Sequence, residues 1–292
     1  MRPTAKSELK TVYEVIWNQC VEVAKPPKTL YHYCPQDVLP KILSSGNLRA
    51  SDVLCMNDRR EVAYAFNDVI APIVSQRELG DPKYFIDSLA SPDLVRGIWG
   101  RFCTYIACFS STAELPSQWR NYAKSAGYAI GFDYNLLQTW CTSRGVVLFP
   151  VIYEGSRQSS MITRFFDREK EVERSRHCPR STIMKLRDQG RIYLASLAMT
   201  LKEPSWRSEC EWRVQIIEPD RGNRFVRLRR DDGVHFVELP ICAGGVMSEI
   251  VLGPQCGTGA AELRRQLDDA GFGSVSVRRC TCGCEKDAGD DD

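Results

Sequence analysis

Residues 206–214 run Trp206, Arg207, Ser208, Glu209, Cys210, Glu211, Trp212, Arg213 and Val214. Successive side chains of a β-strand leave on opposite faces. Read as a strand, the stretch puts Glu209, Glu211 and Arg213 on one face and Cys210, Trp212 and Val214 on the other. The apolar face belongs against a core. The opposite face carries two carboxylates and a guanidinium, which a half-exposed antiparallel strand leaves to water. A sheet with one charged strand face is therefore the first constraint on the fold.

Other strands are legible upstream and downstream. Leu30, Tyr31, His32, Tyr33 and Cys34 form a short strand with a central His, followed by a brief helix stopped at Gly46 and an extended segment to Ala50. From 102 to 109 nearly every residue is apolar or small, the pattern of a strand covered on both faces, and it ends in Ser110 and Ser111. A helix follows with Trp119 and Tyr122, whose spacing gives them one helix face; Gly127 stops it before a strand over 128–133. Residues 146–153 read as β, with Pro150 marking an edge or a bulge. Residues 224–228 and 234–239 flank an Asp-Gly hairpin signal at Asp232 and Gly233. A strand over 250–252, a helix over 260–270 closed by Gly271 and a strand over 275–279 complete the pattern. At the other end, Leu9, Val12, Val15, Ile16, Cys20 and Val23 predict an amphipathic helix over 8–24, ended by Pro26 and Pro27. Asn57, Asp58 and Glu61 read as a capped helix start, with Val62, Ala65, Phe66, Val69, Ile70 and Ile73 on one face behind them.

Composition shifts between 155 and 203, where Arg164, Arg168, Lys170, Arg174, Arg176, Arg180, Lys185, Arg187 and Arg191 outnumber Asp167, Glu169, Glu171, Glu173 and Asp188. The segment reads as a helical insertion, either a solvated hairpin or a local basic surface for a nucleic acid or acidic partner. Lys plus Arg total 39 and Asp plus Glu 37, so no long-range field draws polyanions or membranes. No apolar run approaches the roughly 20 residues of a membrane span, and the Lys- and Glu-bearing first residues do not read as the apolar core of a signal peptide. A cytoplasmic protein is expected, with its scattered cysteines reduced and buried. Cys280, Cys282 and Cys284 could hold a soft metal, but three ligands without a His favour an incidental Cys-rich, acidic and disordered tail over 280–292.

The His32 strand and the helix behind it resemble the opening of the ADP-ribosyltransferase fold in its His-Tyr-Glu branch. Cys108 to Ser110, Gln118 to Tyr122 with Gly127 to Asp133, and Ile250 to Pro254 resemble, in that order, a family of bacterial domains of unknown function related to the same fold. The likeness covers residues 30–279. It implies an α+β domain over 1–279 with an ADP-ribosyltransferase-like split, mostly antiparallel β-sheet, flanking helices and the insertion at 155–203. Two domains breaking near 155 are the alternative. It also implies NAD as co-substrate and transfer of its ADP-ribosyl group to an unknown macromolecular acceptor, protein or nucleic acid, by a toxin or antiviral defence effector.

That chemistry expels an already cationic nicotinamide and needs a carboxylate beside the oxocarbenium-like ribose. By resemblance, Glu211 fills that role and Glu209 lies toward the acceptor. His32 holds the adenosine-side ribose, and Tyr122, or else Trp119, stacks on the cationic ring. Tyr33, Ser110 and Arg213 complete the set expected to contact NAD. The middle Tyr of the branch has no unique counterpart, and Ser110 resembles a different branch. Each residue also has a structural reading: His32 as a satisfied strand histidine, Trp119 and Tyr122 as core, either Glu as a partner of Arg213. A Cys-His pair, Cys34 or Cys108 with His32, has no protease signature around it. No Gly-x-Gly-x-x-Gly follows a strand and no phosphate-loop Lys is present, which disfavours dinucleotide oxidoreductases and nucleotide triphosphatases. The alternative function is a catalytically silent ligand-binding or interaction module on the same fold.

Overall fold

The computed structural model describes residues 25–53, 63–76, 102–175, 190, 193–219, 227–229, 233, 235–242 and 245–282. The helix expected over 8–24, the capped start at Asn57 and Asp58, and the tail from 283 lie outside them. The first half contains β1 (Thr29–Cys34), α1 (Leu39–Ser45), β2 (Leu48–Asp52), a π-helical turn (Ala65–Ile70) leading into α2 (Ala71–Gln76), and β3 (Phe102–Ser110). Then come α3 (Pro116–Asn121), β4 (Tyr128–Asp133), α4 (Tyr134–Ser143), β5 (Val147–Pro150) and α5 (Gly155–Ser175). A 3-10 helix (Pro204–Glu209) precedes β6 (Glu211–Pro219), β7 (Arg227–Arg229), β8 (His235–Leu239), β9 (Met247–Leu252), α6 (Ala260–Asp269) and β10 (Ser276–Arg279).

β3 is the trunk of a ten-stranded sheet. Along one edge it pairs with the whole of β6, from Phe102 opposite Pro219 to Ser110 opposite Glu211. Its other edge is shared: β1 meets it at Tyr31 and Ser110, and β2 at Ile106 and Tyr105. The sheet therefore forks, with β4, β9 and β10 beyond β1, and β8 and β7 beyond β2. Among the named strands every pair is antiparallel except β9 with β10. The architecture is thus mixed α+β with a mostly antiparallel open sheet. A fork of this kind does not by itself assign the ADP-ribosyltransferase fold.

Apolar residues cover both sheet faces. Trp212, Val214 and Phe109 join Leu39 and Ile42 of α1, Leu137 and Trp140 of α4, and Leu263 and Leu267 of α6 in one core. On the opposite side Ile106 and Phe149 pack under Phe66, Val69, Ile162, Phe165, Leu197 and Met199. Fully burying side chains of this size stabilises by about 1.5–3 kcal/mol each. Among the described residues of 155–203, Met161, Ile162, Phe165 and Phe166 of α5 and Leu194, Leu197 and Met199 close the second core, while Arg157, Arg164 and Arg168 are exposed.

Turns are fixed where the chain needs them. Gly46 ends α1 in the left-handed region at φ 68°, donating to the Ile42 carbonyl. Gly127 lies so close to the end of β1 that an added Cβ would stand 2.1 Å from the Cys34 carbonyl oxygen and 2.7 Å from that of Ala123. Both contacts are backbone, so neither yields cheaply. Gly127→Ala is expected to cost about 1–3 kcal/mol, as overpacking does, measured as a lowered denaturant midpoint; an unchanged midpoint would show that β4 and β1 are not held at this distance.

Candidate functional site

Pro204 opens the 3-10 helix, and Cys210 after it turns left-handed with φ 48° and ψ 44°. The strand expected over 206–214 consequently begins at Glu211, because proline fixes φ and donates no hydrogen bond while a left-handed residue breaks the alternation. Glu209 and Glu211 are not neighbours on one strand face. They meet through Lys202, whose Nζ lies 2.5 Å from Glu209 Oε2 and 3.0 Å from Glu211 Oε2. Arg213 donates from Nε to Glu211 Oε1 at 2.7 Å and from Nη2 to Oε2 at 3.1 Å. Its Nη1 donates to the Met199 carbonyl at 2.9 Å, and the Tyr153 hydroxyl accepts from the Glu211 amide at 3.1 Å.

All four charged side chains are buried. Burial alone would raise the Glu211 pKa, but the charges of Arg213 and Lys202 and their hydrogen bonds outweigh it and hold the carboxyl at about 2. Glu211 is therefore a carboxylate at neutral pH. Two supports fix the arrangement. Ser110 Oγ donates to the Glu209 carbonyl at 2.9 Å and Ser111 N to that of Cys210 at 3.0 Å, so the end of β3 holds the left-handed turn. Gln158, buried on α5, donates to the Ile152 and Lys202 carbonyls at 2.7 and 2.8 Å and accepts from Tyr64 at 2.8 Å. The insertion thereby delivers Lys202. Neither Lys202 nor Gln158 carries a signal in the sequence, since each works through chain segments that only folding brings together.

Two aromatic rings stand open beside the cluster. Trp206 is 41% exposed, with its ring centre 5.4 Å from Lys202 Nζ. Tyr122 is 46% exposed, and desolvation together with the charge of Glu209 pushes its hydroxyl up to about 12. Tyr122 and Trp119 do not share a helix face, because α3 ends at Asn121 and Tyr122 is its C-cap. Trp119 is fully buried, donating Nε1 to the Ala113 carbonyl at 2.9 Å and meeting Tyr33 edge-on at 4.9 Å. It offers no ring to a ligand. Tyr33 is likewise spent on packing, its hydroxyl donating to the Thr112 carbonyl at 2.9 Å.

His32 stands apart. Tyr31 lies opposite Ser110 and Ser110 opposite Glu211, so these three share a face, and alternation sends His32 to the other. There it meets Phe109 edge-on at 5.9 Å, with Nδ1 2.9 Å from the Cys108 carbonyl oxygen. Burial lowers its pKa, and the neutral ring donates Nδ1–H to that carbonyl. The strands of His32 and Glu211 flank β3 as expected, but their side chains leave the sheet on opposite faces. Burial also pushes the Cys34 thiol up to about 12, which removes it as a nucleophile beside His32.

A family model described as "Protein of unknown function (DUF2971)" matches residues 118–214, about a third of the chain. The matched stretch runs from α3 into β6 and takes in Tyr122, Gln158, Lys202, Glu209, Glu211 and Arg213, leaving His32 and Ser110 outside. No curated protein and no solved structure matches the chain. Among the described residues no helix is long and apolar enough to cross a membrane.

Lys202→Met would leave two buried carboxylates to share Arg213. Breaking a buried pair this way costs about 3–5 kcal/mol, to be read from denaturant unfolding; a loss under 1 kcal/mol would mean the network is solvated. Acid gives an independent check. A carboxyl depressed from 4.5 to about 2 stabilises the fold above its unfolded value, and that contribution disappears as pH falls through this window. The wild type should lose stability between these values, with a shallower slope in Glu211→Gln.

Proposed function

We propose that the Lys202, Glu209, Glu211 and Arg213 cluster binds NAD and transfers its ADP-ribosyl group to a macromolecular acceptor. The observation that carries this reading is a carboxylate kept ionised at a strand start, with the open rings of Tyr122 and Trp206 beside the same network. Departure of cationic nicotinamide leaves an oxocarbenium-like ribose, which a fixed carboxylate stabilises; an aromatic face suits the flat cationic ring. In the free protein the cluster is neutral overall. The diphosphate of NAD supplies the anion that draws Lys202 off, so the two carboxylates come to face the nicotinamide ribose. Glu211 then stabilises the cation and Glu209 orients the acceptor. His32, on the far face, takes no part. A cytoplasmic toxin or phage-defence role belongs to the same reading.

One observation favours a second reading, a catalytically silent ligand-binding module: both oxygens of Glu211 already accept hydrogen bonds from Arg213 or Lys202. The two are separated by incubating purified protein with NAD and quantifying free nicotinamide chromatographically. Release should fall about 100- to 1,000-fold in Glu211→Gln, checked as folded by circular dichroism. Tyr122→Ala, at a half-exposed position where stability changes little, should raise KM for NAD about tenfold, the worth of one stacked cation contact. Glu209→Gln should slow transfer and spare hydrolysis. NAD binding by calorimetry without nicotinamide release would establish the silent module; neither binding nor release would end both readings.

A further inference from the structure

Arg278 on β10 joins two carboxylates, donating from Nε to Glu249 Oε2 at 2.9 Å and from Nη1 to Glu114 Oε1 at 2.5 Å. Tyr31 donates to Glu249 Oε1 at 2.7 Å. One guanidinium thus serves two carboxylates, and the group is left with a net negative charge. The second oxygen of Glu114 turns toward the cysteines beyond β10. It lies 3.0 Å from Cys280 Sγ and accepts from the amides of Thr281 and Cys282 at 2.8 and 2.9 Å. The sulfurs of Cys280 and Cys282 are joined as a disulfide, and together with the Glu114 carboxylate their ligand atoms lie within 4.8 Å of one another. Both cysteines pack against the Tyr31, Tyr33 and Trp119 cluster, which fixes their place. Spacing in the sequence offered thiols alone; the carboxylate arrives from 166 residues away.

We propose that Cys280, Cys282 and Glu114 form a redox-gated zinc(II) site, of which the disulfide is the oxidised, metal-free state. A dithiol reductant opens the site: it gives up two electrons and two protons, becoming a cyclic disulfide, while the Cys280–Cys282 bond breaks to two thiols. Zinc(II) then forms bonds to both sulfurs as the two thiol protons leave to solvent, and Glu114 Oε2 exchanges its sulfur contact for the ion. Water takes the fourth tetrahedral position. The two thiolates cancel the charge of the ion, and Glu114 remains paired with Arg278, which holds the carboxylate in orientation as outer-shell partners of metal ligands do. Mixed thiolate and carboxylate donors select a borderline-soft ion such as zinc over calcium or magnesium, which take oxygen ligands. Among the described residues Cys34, Cys141, Cys242 and Cys256 are buried and form no disulfide. Nothing in this site depends on the reading of the Glu211 cluster.

The test uses the full chain, reduced with dithiothreitol, desalted without oxygen and titrated with zinc(II) against a chromophoric chelator, with cobalt(II) as the spectroscopic probe. The reduced chain should bind one equivalent of zinc, and cobalt should show thiolate charge-transfer bands with tetrahedral ligand-field bands; the oxidised chain should bind none. Cys280→Ser with Cys282→Ser should abolish binding although the remaining cysteines are untouched. Glu114→Gln should weaken it by about 10- to 100-fold, with thermal unfolding confirming the fold. No zinc on the reduced wild type, undiminished binding in the double variant, or unchanged affinity in Glu114→Gln would each overturn the site. Should Glu114→Gln not fold, a cobalt spectrum of the native chain with sulfur donors alone would overturn the carboxylate ligand.

Discussion

Lys202 reaches from the end of the insertion into a pair of buried carboxylates, and the remainder of the site is arranged so that no charge in that group is left over. Taking an ion out of water costs several kcal/mol, and pairing recovers this only when the geometry is complete. Completion here draws on four separate parts of the chain. The 3-10 helix and the left-handed Cys210 bring Glu209 round to Lys202, Ser110 holds that turn, Gln158 holds the Lys202 backbone, and Arg213 donates to both oxygens of Glu211. The sheet can bury its charged strand only because the insertion folds over it.

The same constraint bears on the function proposed for the network. A carboxylate already held by cations is ionised at any physiological pH and needs no proton transfer before it can face a developing positive charge. Under the proposed function its counter-ions would have to move or be shared when NAD arrives, and Lys202 is the member suited to do so, with its ammonium on a flexible stem beside the open ring of Trp206. Arg213 is tied in addition to the Met199 carbonyl and would keep Glu211 oriented through such an exchange.

The fork at β3 divides labour between the two sheet faces. β1 touches β3 only at Tyr31 and Ser110 before the edge passes to β2. On the face with Glu211 lie Tyr33, Trp119 and Tyr122, and of these only Tyr122 projects into solvent. On the other face His32 closes the fork by bonding a carbonyl of β3. It gives that part-buried carbonyl a donor, which is what a histidine at a strand junction does when no ligand is required to explain it.

What the sequence determined alone is what depends on near neighbours. Alternation over β3, the proline that starts α3, the glycines that follow α1 and α6, and the pairing of apolar strand faces with amphipathic helices all follow from spacing, and these give the mixed, mostly antiparallel sheet; α3 alone stops earlier than Gly127 predicts, at Asn121. The acidic pair and Arg213 were visible as a charged stretch for the same reason. Tertiary structure decided the rest. Pro204 and Cys210 break the alternation that would align Glu209 with Glu211, and the common partner of the two carboxylates, Lys202, comes from the segment before that break. Register, set by one pairing at Tyr31 and Ser110, sent His32 to the wrong face for Glu211. Glu114 reached Cys280 and Cys282 through the packing of β10 against β9. Contacts of this kind lie between residues far apart in the chain, where no period or spacing in the sequence can record them.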